Sequence, residues 1–166
     1  MPRLIILRGN SGSGKSTIAK RLQKELGDTT MLIPQDVVRR EMLQTKDTPD
    51  NPSIQLIREL AKYGYHIGYD VIIEGILARK RYQTIFQELM NTFEHTHTYY
   101  FDIPFDETLR RHNLKPNSHE FGETEMRRWW LDDDQLGDKD EKIITDTLNE
   151  DEIVRSILVD LNYQRL

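Results

Sequence analysis

The 166-residue sequence contains no cysteine, which excludes disulfide bridges and thiolate metal sites. It lacks any run near the roughly 18 apolar residues of a membrane span, and the apolar stretch at residues 4–7 is too short for a secretory signal. A cytoplasmic location without a membrane partner is therefore expected. Positive charge is also scarce, with 23 Lys and Arg against 28 Asp and Glu. Because general affinity for nucleic acid needs a basic face, DNA and RNA are not expected as partners.

Short apolar runs alternate with helical periodicity along the whole chain, whose length suits a single domain over residues 1–166. The runs predict strands at residues 4–7, 30–33, 70–74, 97–102 and 142–145. Apolar spacings of three and four predict helices at residues 16–26, 57–64, 82–93, 105–112, 123–130 and 153–161. This order predicts an α/β fold, a three-layer α/β/α sandwich around a five-stranded parallel sheet.

One segment carries a complete phosphate-binding motif. From Gly9 to Ser16 the chain reads G-N-S-G-S-G-K-S, which satisfies G-x-x-x-x-G-K-[ST] between a predicted strand and a predicted helix. Such a loop surrounds phosphates with backbone N–H groups at a helix N-terminus. Lys15 is then expected to act catalytically on the β- and γ-phosphates of ATP, and Ser16 to hold Mg²⁺. The predicted nucleotide-binding residues are Gly9, Asn10, Ser11, Gly12, Ser13, Gly14, Lys15, Ser16 and Thr17.

A P-loop alone does not fix the reaction. The chain has no N/T-K-x-D segment of the kind GTPases use for guanine, so a kinase of small size is favoured. Asp36 follows the second predicted strand, where a carboxylate could orient or deprotonate an acceptor hydroxyl. The alternative is that Asp36 only caps the following helix. Arg39 and Arg40 could contact an anionic acceptor, or could be solvated helix charges.

Glu74 closes the third predicted strand. A carboxylate at that place, beside the P-loop strand, could orient Mg²⁺ through its water shell, so Glu74 and Ser16 are the predicted metal residues. The alternative is a strand-end carboxylate with local hydrogen bonds only.

A lid is predicted around residues 113–130, because a loop containing proline and glycine lies between two arginine pairs. The pairs are Arg110-Arg111 and Arg127-Arg128, and at least one of the four is expected to stabilise charge on the transferred phosphoryl group. Each arginine taken singly could instead be a helix surface charge paired with a nearby glutamate.

These motifs together resemble the small P-loop kinases. The similarity is to the group of chloramphenicol phosphotransferase, zeta-toxin and the gluconate kinase-like enzymes, and it spans most of the chain. It lies in Gly9 to Ser16, Gln35-Asp36, Ile73-Glu74-Gly75 and Leu109-Arg110-Arg111. The resemblance implies a sheet of order 2-3-1-4-5, Asp36 as the acceptor-side base, and lid arginines near Arg111 and Arg127.

The sequence also departs from one branch of those kinases. Nucleoside monophosphate kinases of the adenylate type read G-K-G-T in the P-loop and Gly-Phe-Pro-Arg after the third strand. Here the loop continues as Ser16-Thr17, and the third strand leads into G-I-L-A before Arg79. This favours a hydroxyl on a small molecule as acceptor, although Arg79 or Arg81 could still bind an acceptor anion. A nucleoside monophosphate or polynucleotide-end kinase, and a non-catalytic nucleotide-gated regulatory module, remain as alternatives.

Overall fold

The computed structural model describes residues 1–137 and 140–162 and is built on one sheet of five parallel strands. The spatial order is β2-β3-β1-β4-β5, with β1 at the centre. This confirms the predicted fold class and strand order. The strands are β1 Arg3–Gly9, β2 Thr30–Pro34, β3 Asp70–Gly75, β4 His95–Asp102 and β5 Glu141–Thr145.

The helices fall close to their predicted positions. They are α1 Lys15–Leu26, α2 Ser53–His66, α3 Arg79–Thr92, α4 Phe105–Asn113, α5 Glu123–Trp129 and α6 Glu150–Asp160. The helix predicted to reach Phe93 ends one residue earlier, because Phe93 turns into extended backbone while its ring stays in the core. A π-helical turn, Val37–Met42, follows β2 and was not predicted from the sequence.

Alternation along the central strand explains the two helical layers. Leu4 and Ile6 of β1 pack into the cluster that contains α2 and α3. Ile5 and Leu7 pack on the opposite face with α1 and α6. Because both faces of β1 are covered, the strand needs a continuous apolar run rather than an alternating one. No helix among the described residues has the length and apolarity needed to cross a bilayer.

The sheet register brings the P-loop, Glu74 and Asp36 to the carboxyl-terminal edge of the sheet. Leu7 of β1 lies opposite Glu74 of β3, and Pro34 of β2 lies on the other side of Glu74. The P-loop therefore starts at the same edge of the sheet at which Glu74 and the segment containing Asp36 emerge. In open α/β sheets, ligands bind in the crevice outside these carboxyl ends.

Candidate active site

The P-loop runs from the end of β1 to the start of α1. Two of its positions require glycine because neighbouring backbone lies too close for a side chain. Gly12 has φ +80°, and a Cβ placed on it would lie 2.5 Å from the carbonyl oxygen of Thr108 in α4. Gly9 has φ +148°, and a Cβ there would lie 2.8 Å from the carbonyl oxygen of Phe101. Both positions combine a conformation that side chains rarely adopt with backbone at close range. The loop is thus packed against α4 and β4 on one side and open on the other.

Lys15 is held inside this loop. Its Nζ donates hydrogen bonds to the carbonyl oxygen of Asn10 (2.7 Å) and to Oγ of Ser13 (3.0 Å). Burial lowers the pKa of Lys15 to about 8, although the negative charges of Glu74 and Asp36 oppose the shift. An anion entering the loop would therefore find a cation already positioned and partly stripped of water.

Ser16 and Glu74 meet beside Lys15. Oγ of Ser16 donates a 3.0 Å hydrogen bond to Oε1 of Glu74, which is almost fully buried. Burial raises the pKa of Glu74, while the charge of Lys15 and the Ser16 hydrogen bond act in the opposite direction. A hydroxyl and a carboxylate at this spacing fit Mg²⁺, which takes oxygen ligands and keeps several waters. Within residues 1–137 and 140–162, no three His, Asp or Glu side chains form a metal site of their own.

A cleft of about 410 Å³ opens over the P-loop, a volume in the range of small-molecule sites. It brings together nine of the predicted site residues: Ser11, Gly12, Gly14, Lys15, Ser16, Thr17, Asp36, Arg40 and Glu74. The other predicted P-loop residues, Gly9, Asn10 and Ser13, are buried and lie outside the described lining of the cleft.

Asp36 faces this cleft with an exposed carboxylate. It stands at the start of the π-helical turn but makes no side-chain capping hydrogen bond, so the capping alternative lacks its defining contact. Its Oδ1 lies 3.7 Å from Nη2 of Arg39 and 3.9 Å from Nε of Arg40. The carboxylate is thus available to a ligand, with Arg40 beside it in the cleft.

Two predicted acceptor contacts lie outside the cleft. The Arg39 side chain extends toward the residues that follow it, and its Nη1 donates to the carbonyl oxygen of Thr45 at 3.1 Å. Arg79 contacts the segment after α5, because its backbone N–H donates to Oδ2 of Asp134 at 2.9 Å. Their predicted roles as acceptor contacts stay predictions.

Arg111 forms a hydrogen bond with the backbone of the P-loop. Its Nη1 donates to the carbonyl oxygen of Ser13 at 3.0 Å, and its Nε donates to Oε1 of Glu107 at 2.9 Å. It does not line the cleft among the described residues. In this arrangement Arg111 supports the loop, and its catalytic role stays a prediction.

Arg127 lies on the outer surface of α5. Its guanidinium pairs with Glu123 at 2.8 Å and sits 4.1 Å from the ring centroid of Phe105. Both contacts engage it outside the described lining of the cleft. A catalytic role would require it to leave these partners, and that role likewise stays a prediction.

Several residues that line the cleft were not among the predicted site residues. They are Lys20, Gly75, Ile76, His112, Lys115, Pro116, Asn117 and Phe121. Lys20 could have been found, because it follows Ser16 by four residues on α1 and so shares its face. Lys115 is the one Lys or Arg in residues 113–122, but the predicted lid roles were given to the arginines on either side of this loop.

Arg8, the residue before the P-loop, was also missed. Its side chain is fully buried, and its Nε and Nη2 donate to the carbonyl oxygen of Leu77 at 3.1 and 3.0 Å. The guanidinium forms ion pairs of 3.0 Å with both Asp134 and Glu141. It thereby connects the end of β1 to the turn after β3, to Asp134 and to the first residue of β5. The available signal in the sequence was a charged residue directly after the apolar run at residues 4–7.

The sequence of this chain also matches a known protein family. A family described as "AAA domain" matches residues 4–129 of the chain, which contain the P-loop, Asp36 and Glu74. The chain belongs to this AAA domain family. No curated protein matches the sequence.

Solved structures similar to this AAA domain chain include several kinases. A sugar kinase from Janibacter sp. HTCC2649 has 17% identity and a TM-score of 0.74, with 98% of this chain and 96% of that chain covered. An APS kinase from Mycobacterium tuberculosis in complex with AMPPNP and APS has 17% identity, a TM-score of 0.69 and coverages of 97% and 98%. A gluconokinase from Sinorhizobium meliloti 1021 has 21% identity, a TM-score of 0.63 and coverages of 97% and 92%. The fold is therefore that of the small P-loop kinases.

Proposed function

We propose that this protein is a phosphotransferase that moves the γ-phosphate of ATP, with Mg²⁺, onto a hydroxyl of a small-molecule acceptor. The observation that carries the proposal is the shared cleft of the P-loop, Glu74 and the exposed carboxylate of Asp36. The kinase fold supports it, and AMPPNP in the similar APS kinase agrees with a nucleotide in this kind of cleft. The protein is proposed to act as one domain with a lid around residues 113–130.

On the nucleotide side, the P-loop backbone surrounds the phosphates, and Lys15 turns from its loop partners toward the β- and γ-oxygens. The Ser16 hydroxyl and the Glu74 carboxylate would hold Mg²⁺, which would neutralise charge on the phosphate chain. Because Lys15 is buried, its charge acts in a medium less polar than water, which strengthens its effect on phosphate oxygens.

On the acceptor side, Asp36 holds the attacking hydroxyl in line with the γ-phosphorus. The acceptor oxygen forms a bond to phosphorus while the bond from phosphorus to the β,γ-bridging oxygen breaks, and ADP leaves. The hydroxyl proton passes to the Asp36 carboxylate. Arg40, beside Asp36, is the cleft arginine proposed to contact a polar or anionic part of the acceptor.

The experiment is ATP consumption against a panel of hydroxylated metabolites, nucleosides, nucleotides, oligonucleotides and antibiotics, with wild type and Asp36→Asn. We expect turnover with one acceptor class and a fall in kcat of about 100-fold or more in the variant, while ATP still binds. Asp28→Asn is the matched control, because Asp28 is exposed and lies outside the described lining of the cleft.

Other outcomes separate the alternatives. Turnover confined to nucleoside monophosphates or polynucleotide ends would identify those acceptors instead. ATP binding without acceptor-dependent turnover, and with Asp36→Asn equal to wild type, would favour a regulatory module.

A further inference from the structure

The loop between α4 and α5 is folded over the cleft and fixed at its base. Nε2 of His112 lies 2.7 Å from the carbonyl oxygen of Phe121, and the two rings stack with centroids 4.3 Å apart. Phe121 also meets the ring of Trp129 edge-on at 5.0 Å. These contacts close the loop on itself. Lys115, Pro116 and Asn117 are consequently presented to the P-loop.

Lys115 is the cation that this loop brings to the cleft. Its side chain makes no hydrogen bond or ion pair with any residue that the structure describes, although it lines the same cleft as Lys15 and Glu74. Among the described residues it is therefore a cation without a partner that shares the cleft with the proposed phosphate and metal residues.

The arginines predicted for this task are engaged elsewhere. Arg111 is bound to Glu107 and to the P-loop carbonyl of Ser13, and Arg127 to Glu123 and the Phe105 ring. Lys20 also lines the cleft, but it belongs to α1 and so approaches from the P-loop side. Among the described cleft residues, Lys115 is the cation that approaches from the lid.

The geometry points to Lys115 as the lid residue that contacts the transferred phosphoryl group, a role that rests on the proposed phosphotransferase function. During transfer, negative charge is spread over the three equatorial oxygens while the acceptor–phosphorus bond forms and the bond to ADP breaks. The Lys115 ammonium stabilises that charge by hydrogen bonds and donates no proton. An ammonium is a mobile point charge, which suits a loop that moves when ligands exchange.

The first test compares the kinetics of Lys115→Ala and Lys115→Arg with wild type and the best acceptor. We expect Lys115→Ala to lower kcat by about 100-fold, as loss of one transition-state donor does, with the KM for ATP within about 3-fold of wild type. Lys115→Arg retains most of the activity. The controls are His119→Ala, exposed in the same loop, and Lys80→Ala, an exposed lysine on α3; both keep wild-type kcat. A wild-type kcat in Lys115→Ala would overturn the assignment.

The second test needs no acceptor. Fluoroaluminate with Mg²⁺ and ADP imitates the phosphoryl group in transfer, so it tightens ADP binding where a site is built for that charge. We expect the tightening to fall by about 10-fold or more in Lys115→Ala, with the affinity for ADP alone unchanged. Equal tightening in wild type and Lys115→Ala, or none in wild type, would refute the role of Lys115. Failure of every acceptor in the panel would instead count against the proposed phosphotransferase while this measurement still decides on Lys115.

Discussion

Ser16 donates a 3.0 Å hydrogen bond from its hydroxyl to the buried carboxylate of Glu74. The two residues are 58 positions apart in the sequence, and only the pairing of β3 with β1 brings them together. The hydroxyl and the carboxylate are thus in contact before any ligand enters. The relationship makes the proposed magnesium site testable.

Glu74→Gln removes the charge of this carboxylate but keeps its shape. We expect the free Mg²⁺ concentration at half-maximal ATP turnover to rise by about 10- to 100-fold, the cost of losing a partner that orients metal ligands. Turnover is measured against free Mg²⁺ at fixed nucleotide. Glu94→Gln, an exposed carboxylate after α3, serves as control. An unchanged Mg²⁺ dependence in Glu74→Gln would remove Glu74 from the metal site.

ATP binding is expected to take up protons at alkaline pH because of Lys15. The pKa of Lys15 in the free protein is about 8, so the amine is charged at pH 7 and mostly neutral at pH 9. Phosphates stabilise the charged form and raise the pKa on binding. Affinity therefore falls as the pH rises above 8, by at most about tenfold for each pH unit.

Isothermal titration at pH 7 and pH 9, in buffers of different ionisation enthalpy, gives the number of protons taken up. We expect nearly none at pH 7 and close to one at pH 9. Lys15→Arg is the control, since a guanidinium stays charged throughout this range. Equal uptake at pH 9 in both proteins would show that another group takes the proton.

The contact between the P-loop and α4 can be isolated with two glycines. Gly12 and Gly27 have similar φ values of +80° and +92°, but a Cβ on Gly12 meets the carbonyl oxygen of Thr108 at 2.5 Å, whereas one on Gly27 meets nothing within 4 Å. Gly27 has ψ −161°, a conformation found almost only in glycine, so Gly27→Ala should cost about 1–3 kcal/mol of unfolding free energy through backbone strain alone.

Gly12→Ala adds a steric clash to the strain of a positive φ. We expect it to cost about 1–3 kcal/mol more than Gly27→Ala and to weaken ATP binding, which Gly27→Ala leaves intact. Urea unfolding and nucleotide titration measure the two effects. Equal costs for the two alanines would mean that the loop can move away from α4 without penalty.

Loss of one partner of Arg8 should destabilise the protein. The Glu141 carboxylate accepts hydrogen bonds from the guanidinium of Arg8 and from the backbone N–H of Leu136. Glu141→Gln replaces it with an amide, whose NH₂ group would face one of these two donors. We expect a cost of about 2–4 kcal/mol in unfolding free energy. Asp134→Asn should cost less, because its side chain is 19% exposed against 2% for Glu141. Urea denaturation measures both, and the reverse order would contradict the burial argument.

Much of the fold could be predicted from the sequence because its signals are local. Apolar runs bounded by turn residues located all five strands, and the motif at Gly9 to Ser16 located the P-loop together with its flanking strand and helix. The strand order came from resemblance rather than from periodicity, and it proved right.

The details of the site were harder to predict, because they depend on contacts between distant segments. Local signals correctly suggested Asp36 and Glu74 at the sheet edge. They could not show that Arg127 would pack on Phe105 or that Lys115 would be presented to the cleft. Which of several surface cations faces a ligand is decided by helix rotation and loop packing, and neither leaves a pattern in the sequence.

Arg8 and Asn10 bracket the first residue of the P-loop, and both are completed by a later part of the chain. The Asn10 side chain exchanges hydrogen bonds with the backbone of Leu131, and Arg8 pairs with Asp134 and Glu141. The family match ends at residue 129, before any of these partners. A fragment cut at that boundary would keep every motif residue yet leave a buried cation uncompensated beside the P-loop. The nucleotide-binding motif therefore depends on β5 for the partner of a buried charge, and moving the motif to another scaffold would require β5 to move with it.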